Sequence, residues 1–282
     1  MAILADVHGN LPALQAVLAD LSQFEVDRVI VNGDLVNRGP SNVEVMELLL
    51  GLDASFTLGN HDDLMRKWVQ RDEDIPVDWF GDAFWAGTAW SARRLDEAGW
   101  IDVFATFPMF ERFEGAGGTT AVVSHGSPRH YREGYGRLLS DEAIVEIVAG
   151  FPAEVLVGSH THRPLVRSFK RHQLLNTGAV GAPFNGDPRA QYLLLTLDEG
   201  HWQYRFRAVD YDRGAALAAF EVSGFLAEGG LSARIYYEEL RCARSFWTPF
   251  WLWTGELGLN RDWDSWERFK VRCAERFQSG PG

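Results

Sequence analysis

Cysteine is nearly missing from this sequence: Cys242 and Cys273 are the only two in 282 residues. Both lie near the C-terminus without CxxC spacing, which argues against a disulfide framework and against a structural zinc site. A reduced, cytoplasmic setting is the expectation. Long apolar runs are missing as well. No stretch approaches the roughly 18 residues that a membrane-spanning helix needs, and the N-terminus has no basic flank followed by an apolar stretch. Neither a membrane span nor a secretory signal is expected. Positive charge is in short supply: 27 basic against 39 acidic residues leave a net charge of −12. Such a chain is poorly suited to a nucleic-acid polymer, whose non-specific binding depends on basic surface. Small phosphorylated molecules stay within reach as substrates where bound cations reverse the local field.

Apolar residues are plentiful, at 46% of the chain, so a buried core rather than disorder is expected. The first half alternates short apolar runs with helical patterns. Strands are expected at Ala2–Ala5, Arg28–Val31 and Ala54–Leu58, with helices at Leu11–Leu21 and Asn42–Leu50. Alternation of this kind implies an α/β fold with parallel strands, since each crossover returns over the sheet. Residues 63–100 read as mainly helical and aromatic-rich, a candidate cap or side wall. A strand at Thr119–Val123, a helix from Ser140 with that serine as N-cap, and a strand at Glu154–Val157 follow. Strand-like runs near Leu165–Phe169, Gln173–Leu175 and Tyr192–Leu197 then come without long helices between them. That rhythm predicts antiparallel additions, giving a mixed sheet or two stacked sheets.

From about Asp212 the chain becomes helical-looking and rich in tryptophan, with Trp247, Trp251, Trp253, Trp263 and Trp266. Residues 1–211 are therefore read as one domain and 212–282 as a helical extension packed on it. A lid, a substrate wall or a contact with a second copy in a homo-oligomer are the other readings of that extension.

Five polar clusters follow expected strands directly: Asp6-Val7-His8-Gly9-Asn10, Gly33-Asp34, Gly59-Asn60-His61-Asp62, Ser124-His125-Gly126 and Gly158-Ser159-His160-Thr161-His162. Functional groups gather beyond the carboxyl ends of parallel strands, where neighbouring loops meet. One such cluster alone is ordinarily a turn or a hydrogen-bonded histidine. Five in order, each after a strand, point to a shared site of Asp, His and Asn ligands. Imidazole suits Zn, Fe and Ni, while carboxylate also accepts the harder Mn.

These motifs resemble the calcineurin-like metallophosphoesterase superfamily, with YfcE-like bacterial and archaeal phosphoesterases looking closest. The resemblance rests on ADVHGN, NGDLVNRGP, LGNHD, SHGSPR and GSHTH, and continues in NTGAVGAPFNGDPRAQYLLL. It implies a four-layer α/β/β/α sandwich, with mixed central β-sheets flanked by helices and the C-terminal helices added. It implies Asp6, His8 and His162 on one metal, Asn60, His125 and His160 on a second, and Asp34 bridging them. Two divalent transition metals are expected per chain, Mn first, with Fe, Zn or Ni as alternatives. The implied reaction is hydrolysis of a phosphomonoester or phosphodiester by direct attack of a dimetal-bound hydroxide.

His61 is expected to donate a proton to the leaving group, a task suited to an unperturbed pKa near 6.5. Asp62 is a candidate to orient it. Arg38 is a candidate phosphate contact through its fork of donors, with a surface salt bridge as the competing reading. The segment Gly33–Gly39 resembles that of phosphoprotein phosphatases, except that an acid supporting the catalytic histidine there is Asn37 here. That departure weakens a protein-phosphatase reading. Dinucleoside-polyphosphate hydrolysis stays open, as does a non-catalytic scaffold, although scaffolds of this fold usually lose a ligand or the histidine, and here all are present. His130 is read as an exposed loop residue or a lining of the substrate entrance. His172 and His201 are read as structural or exposed, and Asn176–Gly181 as scaffold under the site.

Overall fold

The first three strands are short apolar runs, and each ends at a polar turn. They are β1 (Ala2–Leu4), β2 (Val29–Asn32) and β3 (Ala54–Thr57), with α1 (Leu11–Leu21) and α2 (Asn42–Leu50) as crossovers. They pair in parallel, Ile3 opposite Ile30 and Ile30 opposite Ser55. The structure is a computed structural model and describes residues 1–274. Asn10 starts α1 by accepting from Ala13 N, and Pro12 sits in the first turn, where its missing N–H costs nothing.

α3 (Asn60–Gln70) and α4 (Ala86–Glu97) follow, joined by short turns of tighter helix. The chain then builds β4 (Phe110–Glu114), β5 (Thr120–Ser124), α5 (Asp141–Gly150), β6 (Val155–Gly158), β7 (Leu165–Phe169) and β8 (His172–Asn176). Ser140 caps α5, its hydroxyl accepting from Ala143 N. β9 (Ala190–Asp198) and β10 (His201–Val209) form a long hairpin whose first strand runs antiparallel beside β1.

Two five-stranded sheets result, β10-β9-β1-β2-β3 and β4-β5-β6-β8-β7. Both are mixed. Ile3, Ile30 and Leu193 from the first sheet meet Val123, Val157 and Leu175 from the second in a buried apolar seam. α1 and α2 cover the outer face of the first sheet, and α5 covers the second through Ile144 and Ile147. The layers are therefore α/β/β/α, the architecture the motifs implied. Among the described residues no helix is long and apolar enough to cross a membrane.

The last segment holds α6 (Arg213–Val222), α7 (Phe225–Glu228), α8 (Gly230–Cys242), α9 (Trp247–Leu257) and α10 (Trp263–Arg272). Its aromatics do not form a core apart. Phe220, Phe225 and Tyr236 pack with Trp90 of α4. Phe246, Phe250, Trp266 and Phe269 share the main core with Trp68, Phe84 and Trp85. Trp247 and Trp251 stack at 5.2 Å and 9°, and both meet Trp85.

Candidate metal centre

The turns after β1, β2 and β3 deliver Asp6 and His8, Asp34, and Asn60. The turns after β5 and β6 deliver His125, and then His160 and His162. Donor groups thus come from both sheets and meet at one end of the seam. One ligand atom each from Asp6, His8, Asp34 and His162 lie within 4.8 Å of one another, and so do those of Asp34, His125 and His160. Asp34 belongs to both groups: its Oδ2 lies 3.7 Å from His8 Nε2 and 3.3 Å from His125 Nε2.

Tautomers follow from the hydrogen bonds. His8 Nδ1 faces Val36 O at 3.1 Å, His125 Nδ1 faces Asn32 O at 2.8 Å, and His162 Nδ1 faces Ala182 O at 2.5 Å. A carbonyl only accepts, so each Nδ1 carries a hydrogen, and each ring in its neutral form turns the lone pair of Nε2 into the cluster. His8 Nε2 and His162 Nε2 stand 3.2 Å apart. Asp6 Oδ1, Asp34 Oδ2, Asn60 Oδ1, His125 Nε2 and His160 Nδ1 are buried without a hydrogen-bond partner. Each such orphan costs about 1–3 kcal/mol unless something answers it. Lone pairs aimed at lone pairs are answered by cations. The residues therefore fit divalent metal ions.

Strain marks the same place. Asp6, His8, Asp34, Asn37, Arg38, His160 and His162 all have positive φ, between 50° and 67°. Left-handed backbone costs on the order of 1–2 kcal/mol at a residue with Cβ, and it persists where the surroundings impose it. Glycine is needed where loops touch. A Cβ on Gly59 would stand 2.1 Å from Asp34 N, and one on Gly181 would stand 1.8 Å from Val7 O.

Electrostatics agree with a site made for cations. Burial opposes ionisation of Asp34, yet His125, His61 and His8 hold its carboxyl well below the usual range. The backbone N–H of His61, at the positive end of α3, also donates to Asp34 Oδ1 at 2.7 Å. Burial likewise opposes a charged His125, but Asp34 and Asp6 outweigh it and push that ring to about 10. Burial dominates at His8, held well below its ordinary value, and at His160, lowered to about 3.

His61 stands edge-on to His8, ring centroids 4.9 Å apart. Asp62 does not orient it. Its carboxylate instead accepts from Asp34 N, Leu35 N and Gly59 N at 2.8, 2.9 and 3.1 Å, tying the β2 and β3 turns together. Neighbouring helical residues point about 100° apart, and this one turns back into the protein. Asn37 takes the orienting place, its Nδ2 lying 2.9 Å from His61 Nδ1. Arg38 makes a salt bridge, and a buried one, with Glu239 of α8 at 2.5 Å.

His130 is exposed in the loop after β5; His172 is buried with Nδ1 at Ala153 O, and His201 is exposed. The Asn176–Gly181 turn braces the site from below. Asn176 Nδ2 donates to Ser159 O, and Val180 N and Gly181 N donate to Ala5 O and Asp6 O. One residue that sequence reasoning missed is Asn32. Its amide donates to Ser124 O and Ser159 Oγ, both at 2.8 Å, and accepts from Thr57 Oγ1 at 2.6 Å, joining the two sheets beneath the donors. The available signal was a lone amide ending an apolar strand just before Gly33-Asp34.

Comparison with known proteins agrees with this geometry. The model of the calcineurin-like phosphoesterase family matches residues 1–164, more than half of the chain. The chain belongs to the calcineurin-like phosphoesterase family. Membership implies a hydrolase, and a family that works with divalent metals accounts for the buried Asp/His cluster. A crystal structure of a metallophosphoesterase from Sphaerobacter thermophilus superposes with TM-score 0.65 and 25% identity, covering 86% of this chain and 98% of that one. An uncharacterized protein of Methanocaldococcus jannaschii is 27% identical over 227 residues, 75% of this calcineurin-like chain and 88% of that protein. A symmetrical bis(5'-nucleosyl)-tetraphosphatase of Psychromonas ingrahamii is 45% identical over 64 residues, 21% of this chain and 23% of that enzyme.

Proposed function

We propose that the chain is a metal-dependent phosphoesterase that hydrolyses small phosphomonoesters or phosphodiesters. Asp6, His8 and His162 would hold one divalent transition-metal ion and Asn60, His125 and His160 a second, with Asp34 shared; manganese is the first choice. The carrying observation is the set of buried donor atoms on Asp6, Asp34, His125 and His160, from four separate turns, that lie close together without hydrogen-bond partners. Bound ions would supply positive charge for the phosphate oxygens and an activated water at neutral pH.

The chain's own residues account for the rest. Carbonyls of Val36, Asn32 and Ala182 fix the tautomers of His8, His125 and His162, so their donor atoms are aimed before any ligand arrives. Asn60 adds a ligand oxygen without adding negative charge. His61 is presented to the same space, with Nε2 as its hydrogen-bonding tip toward the leaving-group oxygen. Arg38 Nη2 has no partner among the described residues and is available to a phosphate oxygen.

A chromogenic monoester and a diester assayed with Mn²⁺ and then with a chelator test this reading. Metal-dependent turnover is expected; metal-replete protein inert on every phosphoester tried would overturn it.

A second reading, dinucleoside-polyphosphate hydrolysis, draws support from the state of His61. Asn37 Nδ2 points a hydrogen at His61 Nδ1 from 2.9 Å, which leaves the ring hydrogen on Nε2, and the Arg38 guanidinium beside the ring opposes a second positive charge there. Burial too keeps the ring well below its ordinary pKa. A neutral ring helps least with poor leaving groups, and a phosphoanhydride has a good one. The similarity to the Psychromonas enzyme points the same way. Activity on a dinucleoside tetraphosphate exceeding that on alkyl phosphates would favour it.

A further inference from the structure

Arg38 is held by a residue far away in sequence. Its Nη1 donates to Glu239 Oε2 at 2.5 Å, with the side chains only 10% and 3% exposed. The second oxygen of Glu239 accepts the backbone N–H groups of Phe246 and Trp247 at 2.7 and 2.8 Å, which start α9. The guanidinium lies between two rings, Phe184 at 5.5 Å and Tyr236 at 5.2 Å. Phe184 in turn stacks on His162 at 4.2 Å and 7°. A continuous pile therefore runs from a metal-centre histidine through Phe184 and Arg38 to Tyr236 of α8. Arg38, Glu239 and Tyr236 line a cleft together with His8, Asn10 and Gly181.

A buried ion pair is a poor device for stability alone, since well-packed apolar residues of similar volume serve as well or better. What apolar residues cannot do is aim a donor. Arginine loses little freedom per hydrogen bond once its planar fork is fixed, and preorganised donors bind more tightly than free ones. With Nη1 on Glu239 and Nε beside His61, the remaining nitrogen, Nη2, has no protein partner among the described residues.

We propose that Glu239, supplied by the C-terminal helices, is a positioning residue for phosphate recognition: it locks Arg38 so that Nη2 meets a non-bridging oxygen of the substrate beside His8. This rests on the phosphoesterase reading. It makes α8 a functional wall of the site rather than packing alone.

The test is Glu239→Gln in the full-length, metal-loaded chain. The amide oxygen still accepts the α9 N–H groups, while its NH₂ faces Arg38 and releases it. KM for a phosphoester and Ki for inorganic phosphate are each expected to rise about tenfold, the loss of one charge-assisted hydrogen bond, with kcat changed far less. Arg38→Lys, which keeps the charge paired with Glu239 but lacks the fork, should raise both constants similarly; it serves as the readout if the Gln variant fails to fold. Wild-type KM and Ki in either folded variant overturn the proposal while leaving the phosphoesterase reading intact. A wild-type protein inert on all phosphoesters overturns both.

Discussion

Asn37 points its amide hydrogens at Nδ1 of His61 from 2.9 Å, while its oxygen accepts the N–H of Arg38 at 2.8 Å. The second contact fixes which way the amide faces, so His61 receives a donor where a proton-carrying ring would need an acceptor. The ring is neutral for a structural reason as well as through burial.

Asn37→Asp reverses that arrangement. The φ of 67° at this position suits Asp as it suits Asn. A carboxylate beside Nδ1 favours the charged ring, so the His61 pKa goes up. The cationic acid then persists to higher pH. The alkaline limb of the pH–rate profile with a poor leaving group is expected to move upward, and turnover at neutral pH to increase. An unchanged profile would remove His61 from proton delivery; His61→Ala should then cost equally across leaving groups.

Asp34→Asn removes the one carboxylate that belongs to both donor groups. Replacement of an outer partner of a metal ligand typically costs 10–100-fold, so loss of a shared ligand should cost at least about a hundredfold in kcat/KM. Elemental analysis should show fewer metal ions per chain. Full turnover with full metal content would discard the shared role of Asp34.

Protons are expected to compete with metal at His125. Its free ring is pushed to about 10, so at neutral pH it holds a proton that a metal ion must displace. Metal affinity should therefore rise with pH, by about tenfold per unit for one proton displaced, until that value is passed. Competition titrations against a chelator at several pH values measure the slope. A flat line would mean that His125 does not bind the ion.

Phe250→Ala opens a cavity where α9 and α10 meet Phe84, Trp253, Trp266 and Phe269. A cost of about 3–5 kcal/mol is expected. Because this core is shared with α3 and α4, urea unfolding followed by fluorescence should stay a single transition that moves to lower urea. Two separated transitions would show that the C-terminal helices melt on their own.

Local patterns carried much of the fold. α1 and α2 have the ends that periodicity and caps indicate, because Pro12, Asn10 and Gly51 act within one turn. β4 and β10 were not visible. Each lies at the edge of its sheet, and FERFE and HWQYRFRAV mix charge with aromatics, so their strand character depends on one partner, β5 or β9. The donor cluster was legible because each group of donors follows a strand with a glycine nearby. Its supports were less so. The Arg38–Glu239 pair spans 201 positions, and nothing near Glu239 signals the contact. Asp62 misled because neighbours in sequence need not be neighbours on a helix.

The donors stand on two stacked sheets, with Asp6, His8, Asp34 and Asn60 on one and His125, His160 and His162 on the other. Their spacing is therefore governed by the thickness of the layer between, where Ile3 and Ile30 face Val123 and Val157. Trimming a methyl group there would act as a remote adjustment of the bite angle between the two halves. The separation of the two groups of donors is thus set in part by an apolar interior that contains none of them.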